Sequence, residues 1–214
     1  MPSWELENTV LKEVKSKDNS NLTNNYVCGI DEVGRGSLAG PVVACAAVFK
    51  TRNVDFLAQV NDSKQLSKQK REKLAQQLHN NTFYAIGFSS HLEIDSLNIH
   101  NASLLAMERA YYNLCKSCFP CAVLIDGNKN INFLVKSYAI VKGDSKSFSI
   151  AAASIIAKVY RDNLMVELSK EENNSCYNWQ QNAGYATKQH KEAIQSFGIS
   201  KYHRKSFAPI KFYC

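Results

Sequence analysis

Two adjacent carboxylates, Asp31 and Glu32, end an apolar run that begins at Tyr26, and a Gly34-Arg35-Gly36 turn follows almost at once. Carboxylate oxygens are the ligands taken by hard divalent cations such as Mg²⁺ and Mn²⁺. Glycines let a backbone approach a bulky ligand, and an arginine fork matches a phosphate. The combination points to a metal site beside something that carries phosphate. Asp-Glu pairs are also common on solvated surfaces, so the case turns on finding more acids in comparable positions. Two are present. Asp126 follows the apolar run Ala122 to Ile125, and Asp144 follows Val141-Lys142-Gly143. A single such Asp merely opens a loop. Acids beyond the ends of three separate apolar runs instead gather at the rim of a sheet, where α/β proteins hold their ligands. Four carboxylates meeting there repel one another unless cations lie between them. A two-metal site for in-line phosphoryl displacement, its ions about 4 Å apart, uses such a cluster.

One geometric constraint applies. Neighbouring strand residues point to opposite faces, so Asp31 and Glu32 cannot both face one ion from a regular strand. Either the strand breaks at Val33-Gly34, or one of the two contributes through its backbone carbonyl.

The elements that must position these acids follow from hydrophobic patterning. Tyr26 to Glu32 reads as a first strand and Val42 to Phe49, after Gly40-Pro41, as a second, joined as a hairpin. Ser67 to Leu78 is helical, with Ser67 as its cap, and Phe83 to Phe88 reads as a third strand. A long helix is expected over Ile94 to Leu114, with a break near Asn101. Ala122 to Ile125 and Tyr138 to Val141 have the look of buried strands. Ser149 to Leu168 is a strong helix with Lys158 and Arg161 towards its polar side; Lys170 to Asn182 reads as loop, and Thr187 caps a last helix to Phe197. The expected fold class is α/β, a mixed sheet flanked by helices, with a small helical C-terminal region over 171–214. Residues 1–24 read as a loosely attached polar arm, with some helical spacing over Glu5 to Val14, leaving 25–214 as the functional domain.

A chain of 214 residues suffices for one sizeable core, and 45% hydrophobic with 21% charged residues excludes wholesale disorder. The net charge of +7 suits a polyanionic partner, although it also serves solubility. No apolar run approaches the roughly 20 residues of a membrane helix, and the first residues lack a signal pattern. No membrane association, a cytoplasmic address and a monomeric state are the default expectations. Seven cysteines, three of them closely spaced at Cys115, Cys118 and Cys121, lack a fourth nearby ligand for zinc and read as reduced thiols. The histidines are dispersed; His79, His91, His100 and His190 read as surface residues, and His203 has no assignable role.

These blocks, taken in order, resemble a known family. Gly29-Ile30-Asp31-Glu32-Val33-Gly34-Arg35-Gly36 with Leu38-Ala39-Gly40-Pro41-Val42-Val43 closely resembles the signature of bacterial ribonuclease HII, the type 2 RNase H. Asp62-Ser63-Lys64-Gln65-Leu66-Ser67, Asp126-Gly127-Asn128, Lys142-Gly143-Asp144, the run Ser149 to Val159 with Arg161-Asp162, Gly184-Tyr185-Ala186-Thr187 and His203-Arg204-Lys205-Ser206-Phe207 agree in order. Arg35 favours type 2 over type 3. The resemblance implies an RNase H-like, five-stranded mixed sheet. It also implies Mn²⁺- or Mg²⁺-dependent cleavage of the RNA strand of RNA–DNA hybrids, with two ions during catalysis. Incision 5′ of single ribonucleotides in duplex DNA, leaving 3′-OH and 5′-phosphate ends, belongs to the same expectation. By position, Asp31, Glu32, Asp126 and Asp144 look like the metal-binding acids. The backbone of Gly34, Arg35 and Gly36 looks like the reader of the ribose 2′-hydroxyl, Tyr185 like the aromatic that packs on the following sugar, and Lys64 and Lys146 like phosphate contacts.

Two departures stand out: Ser37 where Pro is frequent, and Ala186 where Gly or Pro is usual. Neither removes a functional group. Competing readings are another RNase H-like nuclease, such as a junction resolvase, or a nucleic-acid binding module whose acids are structural. The C-terminal Lys211-Phe212-Tyr213-Cys214 holds aromatics that could serve a sliding clamp; local packing is the plainer expectation.

Overall fold

In the computed structural model, residues 1–17, 25–60, 63 and 66–213 are described. Five strands form one sheet in the order β3-β2-β1-β4-β5: β1 Val27–Val33, β2 Val42–Phe49, β3 Thr82–Ser89, β4 Ala122–Asp126 and β5 Ser137–Ile140. The first three pair antiparallel as a meander, while β4 joins β1 in parallel and β5 joins β4 in parallel. This is the mixed sheet expected.

Period-two alternation sends the strand side chains to two cores. On one face Cys28, Ile30, Ala44, Ala46, Val123 and Ile125 pack against helix α3, His91–Cys115. On the other, Cys45 and Ala47 pack against α2, Lys68–Asn81, and α4, Phe148–Ser169. All eight residues of β2 are buried, and their small side chains admit a helix on each face. Gly29 sets the closest approach: a Cβ there would lie 2.1 Å from the backbone of Ser149, so α4 starts directly over β1.

Ser67 caps α2 by accepting from the Lys70 amide at 3.3 Å, and Thr187 caps α6, Lys188–Phe197, through the His190 amide at 3.2 Å. The break in α3 falls at Asn98 (φ 67°) rather than near Asn101; the Asn98 side chain accepts from the Asn101 amide at 3.1 Å and restarts the helix. The expected loop over Lys170 to Asn182 contains a short helix, α5, Trp179–Asn182, because fully buried Trp179 and nearly buried Tyr177 anchor it. Arg161 is fully buried, which corrects its placement on the polar side of α4.

The N-terminal arm also needs correction. Glu5–Lys17 is a helix, α1, whose Val10, flanked by Leu6, Leu11 and Val14, packs against Ala122, Leu124 and Ile150. Its apolar stripe is short and its firmest contacts are polar, so hydrophobic periodicity understates it. Residues 18–24 lie outside the described residues. No helix among the described residues is long and apolar enough to cross a membrane.

Candidate active site and nucleic-acid interface

Because β1, β4 and β5 run parallel, their C-terminal ends share one edge of the sheet. Ile30 lies beside Ile125, so the next residues, Asp31 and Asp126, emerge side by side there, and Asp126 lies beside Ile140. Asp144 sits in the 3-10 turn Gly143–Ser145 that follows β5 and is buried. The Gly143 amide donates to Asp126 Oδ1 at 2.7 Å, which fastens this turn to the acid edge. Parallel register thus brings Asp31 to Asp126, far away in sequence.

The strand stays regular through Val33 and turns only at Gly34, φ 92°. Asp31 pairs with Cys45 and faces α4; Glu32 pairs with Ala44 and faces the α3 side. The turn therefore falls after both acids and leaves them on opposite faces. Both still feel Asp126. Burial pushes the Asp31 carboxyl well above the usual carboxylate range, and repulsion from Glu32 and Asp126 adds to it. The Ser154 hydroxyl and the Glu32 amide, which donates to Asp31 Oδ1 at 2.7 Å, oppose that shift. Burial also raises Glu32, against the opposing pull of Arg35, whose guanidinium donates to Glu32 Oε1 at 3.0 Å.

Buried and half-buried, mutually repelling, all-oxygen groups are a donor set that a hard divalent cation relieves. Among the described residues, no three His, Cys, Asp or Glu side chains converge to the spacing of a bound ion. Asp31, Glu32 and Asp126 each accept a hydrogen bond from a protein donor.

Behind Asp31, Ser154 on α4 meets Ser63, their hydroxyls 2.9 Å apart, and Arg71 donates to the Ser63 carbonyl at 2.8 Å. Ser63 is thereby anchored at the back of the acid edge. Lys64 lies outside the described residues. Lys146 is exposed, two residues beyond Asp144.

The Gly34-Arg35-Gly36 turn is built on two buried arginines. Arg204 donates to the carbonyls of Gly34 at 2.7 Å, Arg35 at 2.9 Å and Gly40 at 3.0 Å. Arg161 donates to those of Pro41 at 2.9 Å, Ala183 at 2.9 Å and Ala39 at 3.2 Å. Burial and the neighbouring Arg161 push Arg204 down to about 9, so it remains charged at neutral pH. In a trans peptide the N–H points opposite to the C=O. With the Gly34 and Arg35 carbonyls turned inward, the amides of Arg35 and Gly36 face away from Arg204, on residues that are exposed. A side chain at Gly34 would strike Arg161, 2.1 Å from its Nε.

Tyr185 stands beside this turn through a backbone bridge to Ser37 and a Leu38 amide that donates to the Gly184 carbonyl at 2.8 Å. Ser37 is buried, and its amide donates to the Gly34 carbonyl at 3.4 Å, a bond that proline could not make. The half-buried Tyr185 ring has Lys158 Nζ 5.4 Å and Arg161 Cζ 5.6 Å from its centroid. Ala186 is exposed.

His190 and His203 are buried, which corrects the surface reading of His190 and finds a structural place for His203. The Ser200 amide donates to His203 Nδ1 at 2.9 Å, which puts the His203 proton on Nε2. That proton points to His190 Nε2 at 3.1 Å, which also accepts from Trp179 Nε1 at 3.1 Å. His190 Nδ1 therefore carries a proton and donates to the Tyr185 carbonyl at 2.9 Å. Burial holds both histidines below their ordinary pKa, His203 at about 3. The chain of bonds ends on the backbone that presents Tyr185.

The buried, hydrogen-bonding roles of Arg161, Arg204, His190, Ser63 and Ser154 were not legible in the sequence. Two arginines inside otherwise well-patterned blocks were the available signal, but nothing local tells a buried guanidinium from a solvated one.

A profile described as Ribonuclease HII matches residues 28–210. A ribonuclease HII of Pelagibacter ubique is 52% identical over 187 residues, covering 86% of this chain and 96% of the relative. Among solved structures, the PCNA:RNase HII complex from Archaeoglobus fulgidus includes a chain that superposes with a TM-score of 0.70 at 26% identity, covering 85% of this chain and 95% of the other. Bst-RNase HIII in complex with Mn²⁺ superposes at 0.71 and 22% identity, covering 87% and 68%, and speaks for the fold alone. With the profile spanning nearly all of the chain and a relative above half identity, the chain belongs to the ribonuclease HII family and is a ribonuclease H.

Proposed function

We propose that this ribonuclease cuts the RNA strand of RNA–DNA hybrids and incises 5′ of single ribonucleotides in duplex DNA, leaving 3′-OH and 5′-phosphate ends. The observation that carries this reading is the adjacency of two features: the carboxylate edge at Asp31, Glu32, Asp126 and Asp144, and the Gly34-Arg35-Gly36 turn directly after β1, exposed at Arg35 and Gly36. The four acids would hold Mn²⁺ or Mg²⁺; two such ions, when bound, stabilise charge on the phosphate oxygens during in-line displacement.

Each remaining role belongs to the chain itself. The outward amides of Arg35 and Gly36 are fixed donors for a 2′-hydroxyl, the group that distinguishes RNA from DNA. The turn is held from behind, so these donors need no reorganisation when substrate arrives. Tyr185 offers a ring face against the next sugar, where a deoxyribose packs more closely than a ribose. Arg35 and Lys146, both exposed, supply salt-sensitive attraction to phosphate, and Lys64 is assigned the same role by sequence position.

The test is Mg²⁺- or Mn²⁺-dependent nicking of a duplex bearing one ribonucleotide, run beside an all-DNA duplex and a DNA four-way junction. Nicking 5′ of the ribonucleotide alone supports the reading. Junction cleavage, or binding without any nicking, overturns it in favour of a resolvase or a binding module.

A further inference from the structure

The family match begins at residue 28, so α1 lies outside it, yet α1 grips both ends of the segment that carries Asp144. At one end Glu7, only 1% exposed, accepts from the Ser147 hydroxyl at 2.6 Å and from the Ser149 amide at 3.0 Å. Burying a carboxylate is costly unless donors meet it; here both donors, from the cap residue and first turn of α4, reach Oε1, Oε2 is buried without a hydrogen bond, and the helix dipole also favours negative charge. Ser147 already caps α4 by accepting from the Ile150 amide at 3.2 Å, so Glu7 fixes the cap itself. The preceding residues add a short parallel ribbon: the Ser3 amide donates to the Lys146 carbonyl at 3.1 Å, and the Phe148 amide to the Ser3 carbonyl at 3.4 Å. The Trp4 ring lies 5.0 Å from that of Phe148.

At the other end Glu13 accepts from Lys136 Nζ at 2.5 Å and from the Tyr138 hydroxyl at 2.7 Å, at the start of β5. Glu13 lies six positions after Glu7 on the helix, about 9 Å along a rigid rod. Between the grips, Val141, Lys142 and Lys146 are exposed, while Ile140 packs on the cluster around Ile150. What passes between the grips is a line of bonds. The Ser147 and Lys146 amides donate to the Gly143 carbonyl at 2.8 and 2.9 Å, and the Gly143 amide donates to Asp126. Asp144 is the next residue.

We propose that α1 is a positioning brace for the Asp144 segment, with Glu7 and Glu13 as its two holds, and that it sets cation affinity at the acid edge. The consequence for cations rests on Asp144 being a ligand, as proposed above. The brace itself does not.

Two readouts separate these claims. Hydrogen exchange at the Lys146 and Ser147 amides, measured without metal, reads the brace; calorimetric Mn²⁺ titration reads the ligand set. Glu7→Ala is expected to speed exchange at both amides and to weaken Mn²⁺ binding about tenfold, the scale of lost outer-shell partners, while KM for a hybrid stays within about twofold of the parent. Glu7→Gln keeps an acceptor for Ser147 and restores both readouts. Glu13→Ala, at a more exposed position, acts in the same direction and decides the matter if Glu7→Ala fails to fold. Parental exchange in both alanine variants overturns the brace. Faster exchange with parental Mn²⁺ affinity overturns its role in cation binding. Parental Mn²⁺ affinity in Asp144→Asn overturns the ligand assignment instead, and exchange then judges the brace alone.

Discussion

Arg204 reaches the Gly34 carbonyl at 2.7 Å from a fully buried position, joining residues 170 apart in sequence. That bond, with its companion to Arg35, turns two carbonyls into the protein and their partner amides outward. The outward face of the turn is therefore a property of the C-terminal region as much as of the glycines.

Replacing Arg204 by lysine tests this dependence. One ammonium cannot serve three separated carbonyls as a planar fork does. The lost bonds should destabilise the protein by about 3 kcal/mol, a fall in Tm of roughly 6–12 °C. Loss of preference for a ribonucleotide over DNA in the fraction that stays folded would link the fork to recognition; unchanged Tm and preference would dissociate them.

Asp126→Asn keeps an oxygen for the Gly143 amide but removes a charge from the acid edge. Cleavage is expected to lose about 4 kcal/mol of transition-state stabilisation, roughly a thousandfold in rate, with hybrid binding still measurable by anisotropy. Full activity would remove Asp126 from the chemistry.

Tyr185→Ala leaves the backbone bonds of Gly184 and His190 in place. Incision at a single ribonucleotide should fall by about tenfold, more than 1 kcal/mol, with a smaller loss on a continuous hybrid and little change in Tm. Equal rates for variant and parent on the single-ribonucleotide duplex would take the ring out of the site.

The histidine pair gives a pH dependence. His203 is held down at about 3 in the folded protein, against an ordinary value of 6.5. Between those values the unfolded chain binds a proton that the folded one refuses. Stability from this group is therefore complete above about pH 6.5 and is lost as pH falls towards 3. Denaturant titrations at pH 7, 5.5 and 4.5 should show that decline, and His203→Gln should flatten it. An unaltered slope in the variant would assign the decline to other groups.

Much of the architecture was legible because its signals are local. Val42–Phe49 is apolar throughout, as a strand covered on both faces must be, and Ser67 and Thr187 mark helix starts through hydrogen bonds only a few residues long. The acids could be singled out because each follows an apolar run. Other features were hidden. The Asn98 break depends on one backbone conformation, and α1 on a buried glutamate whose partners lie 140 residues away. Arg161 and His190 look like surface residues until the carbonyls and rings around them are seen.

By itself the sequence determined which residue types were available and which stretches would be strand or helix, since hydrophobic period and capping act over a few residues. Its ordered motifs also sufficed to indicate the family. Only the tertiary structure decided that three parallel strand ends bring Asp31, Asp126 and the Asp144 turn to one edge, and that Arg204 and Arg161 orient the turn beside them. The reason is physical: register and buried polar pairing are long-range relations, set when distant segments must satisfy one another's hydrogen bonds out of water.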